Sequence, residues 1–448
     1  MTINGNTISV YEHSSISVSE KKLTEREQGC LKRLHRLLGD TYFKFDETGG
    51  RIHFTNYVGV IGIGNRTIEI LPKIDSGKND NSEDVGNLCR DRLLAMLEIA
   101  GGIPYKFSTK ASLSSKYITI LEFFIRLFVK EACKLLKRGL VHNYIKHEDE
   151  TNFLRGKLNV AEQVRLTVRR IPRFSVKYHE FSADILLNRI IKDVSRMLQS
   201  ITQNYENQRE LLLIDAILED VSFKRHTAKD VDRIILDRKT YGYEMLLALC
   251  RLFLQGRIPD FSAGETPVIP ILFDMNKLFE RFIGQMLRRM VLRGELPSFC
   301  DVRLDESNEH LLQRWDNGRW EPFKKLRPDI QLVGKSNNNN VMPLIIIDTK
   351  WKRLNSKIPL NDIDDSDLHQ MFAYAIRYQS ERTILLYPKP AGLECDNGLI
   401  EHFQTKEGQP IEIWAIDLTN TNKEGKENAF YDFCKSVQEQ LCKIGRRK

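Results

Sequence analysis

The chain has 448 residues, 41% apolar and 29% charged, with 68 Lys and Arg against 60 Asp and Glu, a formal net charge of +8. At roughly 150 residues per domain this length predicts two or three domains, and the composition is that of a folding chain, not a disordered or collagen-like one. No apolar run approaches the ~20 residues that span a bilayer, the N-terminus carries no secretory pattern, and the eight cysteines form no Cys-x-x-Cys, so the expectation is no membrane span, no zinc ribbon, no disulfide framework and a reduced, cytoplasmic setting.

Residues 1–82 read as a small β-rich domain. Thr7–Ser19 alternates in short runs, and Arg51–Ile74 holds two β-branched stretches around Gly64-Asn65, a hairpin turn. One amphipathic helix interrupts them, with Leu31, Leu34, Leu37 and Leu38 on one face. The polar, Gly/Asn/Asp-rich stretch from Asp75 to Asn87 predicts a boundary. Residues 83–263 read as a mainly helical middle domain. Its strongest segment runs from Ile118 to Arg138-Gly139, and further helices fit Ala183–Asn204, Gln208–Leu218 and Tyr243–Leu254. A basic stretch with Arg165, Arg169, Arg170, Arg173 and Lys177 reads as a solvated loop or strand edge, or else as a phosphate-contacting surface.

Residues 264–448 form the third unit. Asp274 is a good N-cap for a helix whose apolar stripe includes Leu278, Phe279, Phe282 and Met286. Strands fit 299–305, 325–333 and 343–351, a helix 367–379, strands 383–388 and 411–418, and a final helix 428–443. The order α-β-β-β-α-β predicts a mixed sheet flanked by helices, an α/β (α+β overall) class.

Two of those strands carry chemistry. Arg327-Pro328-Asp329 sits in one, and Asp348-Thr349-Lys350 closes the other after the apolar run Leu344–Ile347. Period-two alternation puts Asp348 and Lys350 on one face and turns Thr349 away. The polar link Gly334–Met342 allows a hairpin that brings Asp329 alongside Asp348. Two carboxylates suit a hard divalent cation such as Mg2+, which binds oxygen ligands together with waters and substrate phosphate. Such an ion stabilises charge on a phosphodiester and acidifies a bound water, and a neighbouring ammonium can hold the phosphate. The chemistry predicted is metal-assisted phosphodiester hydrolysis. Asp-x-Lys alone is a weak pattern: Asp237-Arg238-Lys239 also follows an apolar run, but no Pro-Asp precedes it at hairpin distance and its surroundings read as helical. No G-x-x-x-x-G-K-[ST] loop is present, so the chain itself is expected to hydrolyse no nucleotide.

These residues resemble the PD-(D/E)xK nuclease superfamily, whose hallmark matches Pro328-Asp329 and Asp348-Thr349-Lys350. More narrowly, residues 274–282, 327–330, 346–352, 367–375 and 385–388, with 68–74 and 183–192 further upstream, resemble the McrC family of McrBC-type modification-dependent restriction systems. The resemblance implies a restriction-endonuclease-like αβββαβ domain at 264–448. It also implies that Glu280, on the first helix, supports the metal with Asp329 and Asp348, and that Gln370 lies near the scissile phosphate with Tyr374 one turn on. His369 is read as structural. For partners it implies an McrB-like AAA+ GTPase ring, engaged by the N-terminal part, and double-stranded DNA.

The expected function is therefore a Mg2+-dependent endonuclease subunit that also stimulates its ring partner. One site per chain attacks one phosphodiester, so cutting both strands needs two copies. The rival readings are an NTPase-activating adaptor with a secondary or inactive nuclease site, and a stand-alone nuclease.

Overall fold

The computed structural model describes residues 3–4, 6–18, 23–64, 66–74, 83–101, 119–255, 268–306, 309–316, 318–335, 341–395, 397–419 and 429–445. The chain divides into two compact units, one of residues 1–60, 68–118 and 272–448, the other of 61–67 and 119–271. The division into 1–82, 83–263 and 264–448 is one of sequence; in space the first and last segments share a unit.

In that shared unit, Thr7–Tyr11, residues 68–71 and residues 57–60 lie side by side in one sheet. The helix Glu25–Leu38 begins on a capping box between Thr24 and Glu27. It buries Leu31 and Leu34, but Leu37 is 49% exposed and Leu38 only partly covered. Spacing by three falls short of a 3.6-residue turn, so each step drifts ~60° around the helix and carries Leu37 off the buried stripe. Part of the expected boundary, 75–82, lies outside the described residues, and from Glu83 to Ile99 the chain is helical.

The second unit is helical at its core, with helices Ile120–Leu136, Leu186–Gln199, Tyr205–Ile217 and Glu244–Gln255. Glu122 ties two of them: its carboxylate accepts from Thr202 Oγ1 at 2.7 Å and from Asn207 Nδ2 at 2.8 Å. The basic stretch is not one loop or edge. Arg165 lies on the helix Val160–Val168 and Lys177 on the strand Phe174–Ser182, which pairs with Asn143–Thr151. Arg165, Arg169, Arg170 and Arg173 are all exposed. The second Asp-x-Lys is a turn in a loop, where Asp237 Oδ1 caps Lys239 N and Thr240 N.

Residues 275–445 supply the elements that matter for the site. They are α1 (Met275–Leu292), β1 (Phe299–Leu304), β2 (His310–Asp316), β3 (Arg319–Lys325), β4 (Ile330–Lys335), β5 (Val341–Thr349), α2 (Asp365–Tyr378), β6 (Arg382–Pro388), β7 (Leu399–Gln404), β8 (Pro410–Ile416) and α3 (Ala429–Gly445). Asp274 caps α1 by accepting from Asn276 N and Lys277 N. Six strands make one mixed sheet in the order β1-β4-β5-β6-β8-β7. β4 and β5 are antiparallel, and β5, β6 and β8 run parallel. Ile345, Ile346 and Ile347 on β5 are at most 1% exposed, as expected of a strand covered on both faces. Met371, Tyr374, Ala375 and Tyr378 of α2 pack with Ile346, Leu385 and Ile413 in one apolar cluster.

The expected α-β-β-β-α-β order is present, with two additions. β2 and β3 form a separate ribbon between β1 and β4, and β7 adds an antiparallel edge. Arg327-Pro328-Asp329 stands just before β4, not within it.

Candidate active site

The ladder between β4 and β5 pairs Ile330 with Ile347. One step further along the same register, Asp329 faces Asp348, which is the juxtaposition the hairpin reading predicts. Both lie where parallel strands end, the region of an open α/β sheet in which ligands collect. β5 supplies Asp348 as its penultimate residue, and Lys350 follows at once, its backbone N–H held by Leu386 O at 2.9 Å.

Each side chain is fixed by the others. Lys350 Nζ lies 2.9 Å from Asp348 Oδ2 and 3.4 Å from Asp367 Oδ1, and it donates to Gln370 Oε1 at 3.0 Å. Gln370 Nε2 donates to Asp348 Oδ1 at 3.2 Å and to the Tyr374 hydroxyl at 2.8 Å. That hydroxyl donates in turn to Arg327 O at 2.9 Å. Lys350, Asp348, Gln370 and Tyr374 thus form one chain of contacts ending beside the Pro328-Asp329 turn. His369 points elsewhere and is exposed.

Thr349 does not turn away from the site. Its backbone N–H and its hydroxyl both donate to Asp329 Oδ2, at 2.7 and 2.8 Å. Asp329 precedes its strand, so ladder alternation does not set its side chain, which swings across to the end of β5. Sequence reasoning also missed Asp367 and Asp305. Asp367 stands three residues before Gln370 on α2, a spacing that shares a helix face, and this could have flagged it. Asp305 binds Asp329 O through its backbone N–H at 3.0 Å, from a left-handed conformation with φ of 50°; nothing in the sequence marks it.

The electrostatics are those of a carboxylate cluster short of positive charge. Burial pushes Asp348 up to about 7, and Asp329 adds to this; Lys350 opposes it without cancelling it. Burial also raises Asp329, against its two bonds from Thr349. Glu280, half-buried on α1, is lifted to about 7 by burial first and then by Asp329 and Asp305. Burial alone would lower Lys350, but Asp348, Asp367 and Asp329 outweigh it and hold the ammonium above its ordinary value.

Asp348 is 1% exposed, and its Oδ2 accepts no hydrogen bond. Lys350 Nζ reaches ion-pair distance of that oxygen without hydrogen-bond alignment. A buried carboxylate oxygen facing the Lys350 ammonium, beside acids driven toward neutrality first by burial and then by one another, fits a cation that would restore their charged forms. The donors are all oxygen, which suits Mg2+. Among the described residues no three His, Cys, Asp or Glu side chains close into a metal cage. The fit is to an open site in which two carboxylates leave positions for water and phosphate.

No curated protein matches the chain. Among solved structures, a chain of the refined half-complex from the tetradecameric assembly of Thermococcus gammatolerans McrB AAA+ hexamers with bound McrC matches with a TM-score of 0.65 at 22% identity, covering 96% of this chain and 99% of that one. That is a likeness of fold. A chain of the cryo-EM structure of the Thermococcus gammatolerans McrBC complex matches at 25% identity and a TM-score of 0.47, covering 63% of this chain and 87% of that one. The family model described as McrBC 5-methylcytosine restriction system component matches residues 52–388, about three quarters of the sequence, and the chain belongs to that family.

Proposed function

We propose that this chain is the McrC-like nuclease subunit of an McrBC-type restriction complex, hydrolysing phosphodiesters of double-stranded DNA. The observation that carries the reading is the alignment of Asp329 and Asp348 across β4 and β5, with Lys350 held between Asp348, Asp367 and Gln370. Asp329 and Asp348, with Glu280 in support, would hold Mg2+. When bound, the ion supplies charge stabilisation on the phosphodiester and a more acidic water.

The protein's own groups do the rest. Thr349 fixes one oxygen of Asp329 and leaves the other for coordination. Lys350 keeps its proton under the pull of three carboxylates and offers a fixed positive charge to a phosphate oxygen, which gains in a partly buried site. Gln370, anchored by Tyr374, holds the Lys350 ammonium in place. A single such site addresses one strand, so a double-strand break takes two copies of the chain. The solved relative is a complex of McrB AAA+ hexamers with bound McrC, which supports an AAA+ GTPase ring as this chain's partner and the source of nucleotide hydrolysis.

Lys350→Ala should abolish Mg2+-dependent cutting by the complex with its ring partner, and leave melting temperature and partner binding near the parent values. Asp237→Ala, in the loop turn, should cut normally. Undiminished cutting by Lys350→Ala would sink the assignment.

A further inference from the structure

Lys350 has three side-chain partners, and two of them carry charge. Its Nζ faces Asp348 Oδ2 at 2.9 Å and Asp367 Oδ1 at 3.4 Å, and it donates to the neutral Gln370 Oε1 at 3.0 Å. Both oxygens of Asp348 already face a donor, since Gln370 Nε2 reaches Oδ1 at 3.2 Å and the ammonium stands at Oδ2. Holding a divalent ion and holding Lys350 are therefore rival uses of one carboxylate, because two cations at one oxygen repel strongly in a partly buried site. With Asp348 engaged by a metal ion, Asp367 is the charged partner that Lys350 keeps.

Asp367 is itself held from two sides. It lies in the first turn of α2, where its backbone N–H donates to Asp364 O at 2.9 Å. The oxygen turned away from Lys350, Oδ2, accepts from the Tyr387 hydroxyl at 3.3 Å. Tyr387 comes from β6, is wholly buried, and packs with Met371 and Tyr374 of α2, so its ring has no room to swing. Burial first, and then Asp367, hold this phenol far above its ordinary range, which keeps it a donor. The result is a second chain of contacts, Tyr387 to Asp367 to Lys350, which reaches the ammonium without passing through Asp348. A first-turn aspartate can also serve only to offset the helix dipole. Asp365 stands in the same turn and is exposed, whereas the Asp367 side chain is 14% exposed and meets partners from β6 and from the end of β5.

We infer that Asp367, fixed by Tyr387, is the positioning residue that keeps the Lys350 ammonium in the site while Asp348 carries the metal ion. This rests on the nuclease reading of the site, and the test separates the two. Duplex cutting by the chain with its ring partner is followed across Mg2+ concentrations, at equal folded fraction. Mn2+ binding to the full chain is measured separately, from the electron paramagnetic resonance signal of the free ion.

Asp367→Asn keeps the shape of the side chain and removes its charge. It should cut ~10–100-fold more slowly, the scale of a reacting group misplaced by about an ångström. Its Mn2+ affinity, and the Mg2+ concentration that gives half the maximal rate, should stay close to the parent values. Asp367→Glu restores the charge and should recover part of the rate, and Tyr387→Phe should lose rate by less than Asp367→Asn does. Asp365→Asn should cut normally; an equal loss there assigns both residues to the helix dipole and overturns the inference. Parent-rate cutting by Asp367→Asn overturns it as well. So does Mn2+ binding weakened by ~10-fold or more, the scale of a lost metal-supporting group, which would make Asp367 a ligand of the ion. An inactive Lys350→Ala beside a parent-like Asp367→Asn removes the anchor alone. Normal cutting by Lys350→Ala, or a parent chain that neither binds Mn2+ nor depends on Mg2+, removes the nuclease reading and the anchor with it.

Discussion

Single residues carry a pH dependence whose sign can be worked out. Glu12 is 1% exposed and burial pushes it up to about 7, against bonds from Lys73 N–H and Trp351 Nε1. Its folded value lies above its ordinary one of 4.5, so the folded chain binds more protons between the two. Stability therefore falls as pH rises from about 4.5 to about 7 and is level above. Asp348 and Glu280 push the same way. Glu12→Gln keeps an oxygen for both donors and removes the charge. It should raise stability by on the order of 1 kcal/mol at pH 8 and change little at pH 4, read from urea melts at the two pH values. A variant less stable at pH 8 would contradict this. Much of the site was legible at this scale, because alternation along an apolar strand places Asp348 beside Lys350. Thr349 and Asp305 were not, since both meet Asp329 through backbone N–H groups at strand ends where alternation no longer holds, with the Thr349 hydroxyl following its N–H.

Elements were legible where at least one face is buried. The stripe of α1 and the apolar run of β5 follow directly from their period, and their ends lie within a few residues of those expected. The ribbon was missed for the opposite reason. With both faces exposed, β2 and β3 alternate nothing, and Pro322 within β3 argues against a paired strand. The basic stretch around Arg169, read as a loop or strand edge or else as a phosphate-contacting surface, hid a helix at Arg165 because that helix, Val160–Val168, buries only Leu166. A helix with so narrow a buried face leaves little periodic trace.

For the whole molecule, the contacts within the first unit join residues with no sequence relation. Trp351 Nε1 donates to Glu12 Oε1 at 2.7 Å, one residue beyond Lys350. Asn56 donates to Asp274, the cap of α1, at 3.0 Å. Arg92 Nε donates to Leu418 O at 3.0 Å and its guanidinium lies 4.3 Å from the Phe433 ring. Such pairs leave no local pattern, which is why the β-rich segment reads as separable. Deleting residues 1–82 should therefore lower the melting temperature by several degrees and weaken cutting, beyond any loss of partner stimulation; a truncated chain that melts like the parent would show the segment to be dispensable for the fold. The central claim, that Asp329, Asp348 and Lys350 make a hydrolytic metal site, meets its most direct test in the rate of duplex scission against Mg2+ concentration, with the ring partner present, for the parent and for Asp348→Asn. The parent should saturate with Mg2+ and the variant should cut at least ~1,000-fold more slowly at equal folded fraction. A variant that cuts at the parent rate, or a parent whose cutting ignores Mg2+, would contradict the account.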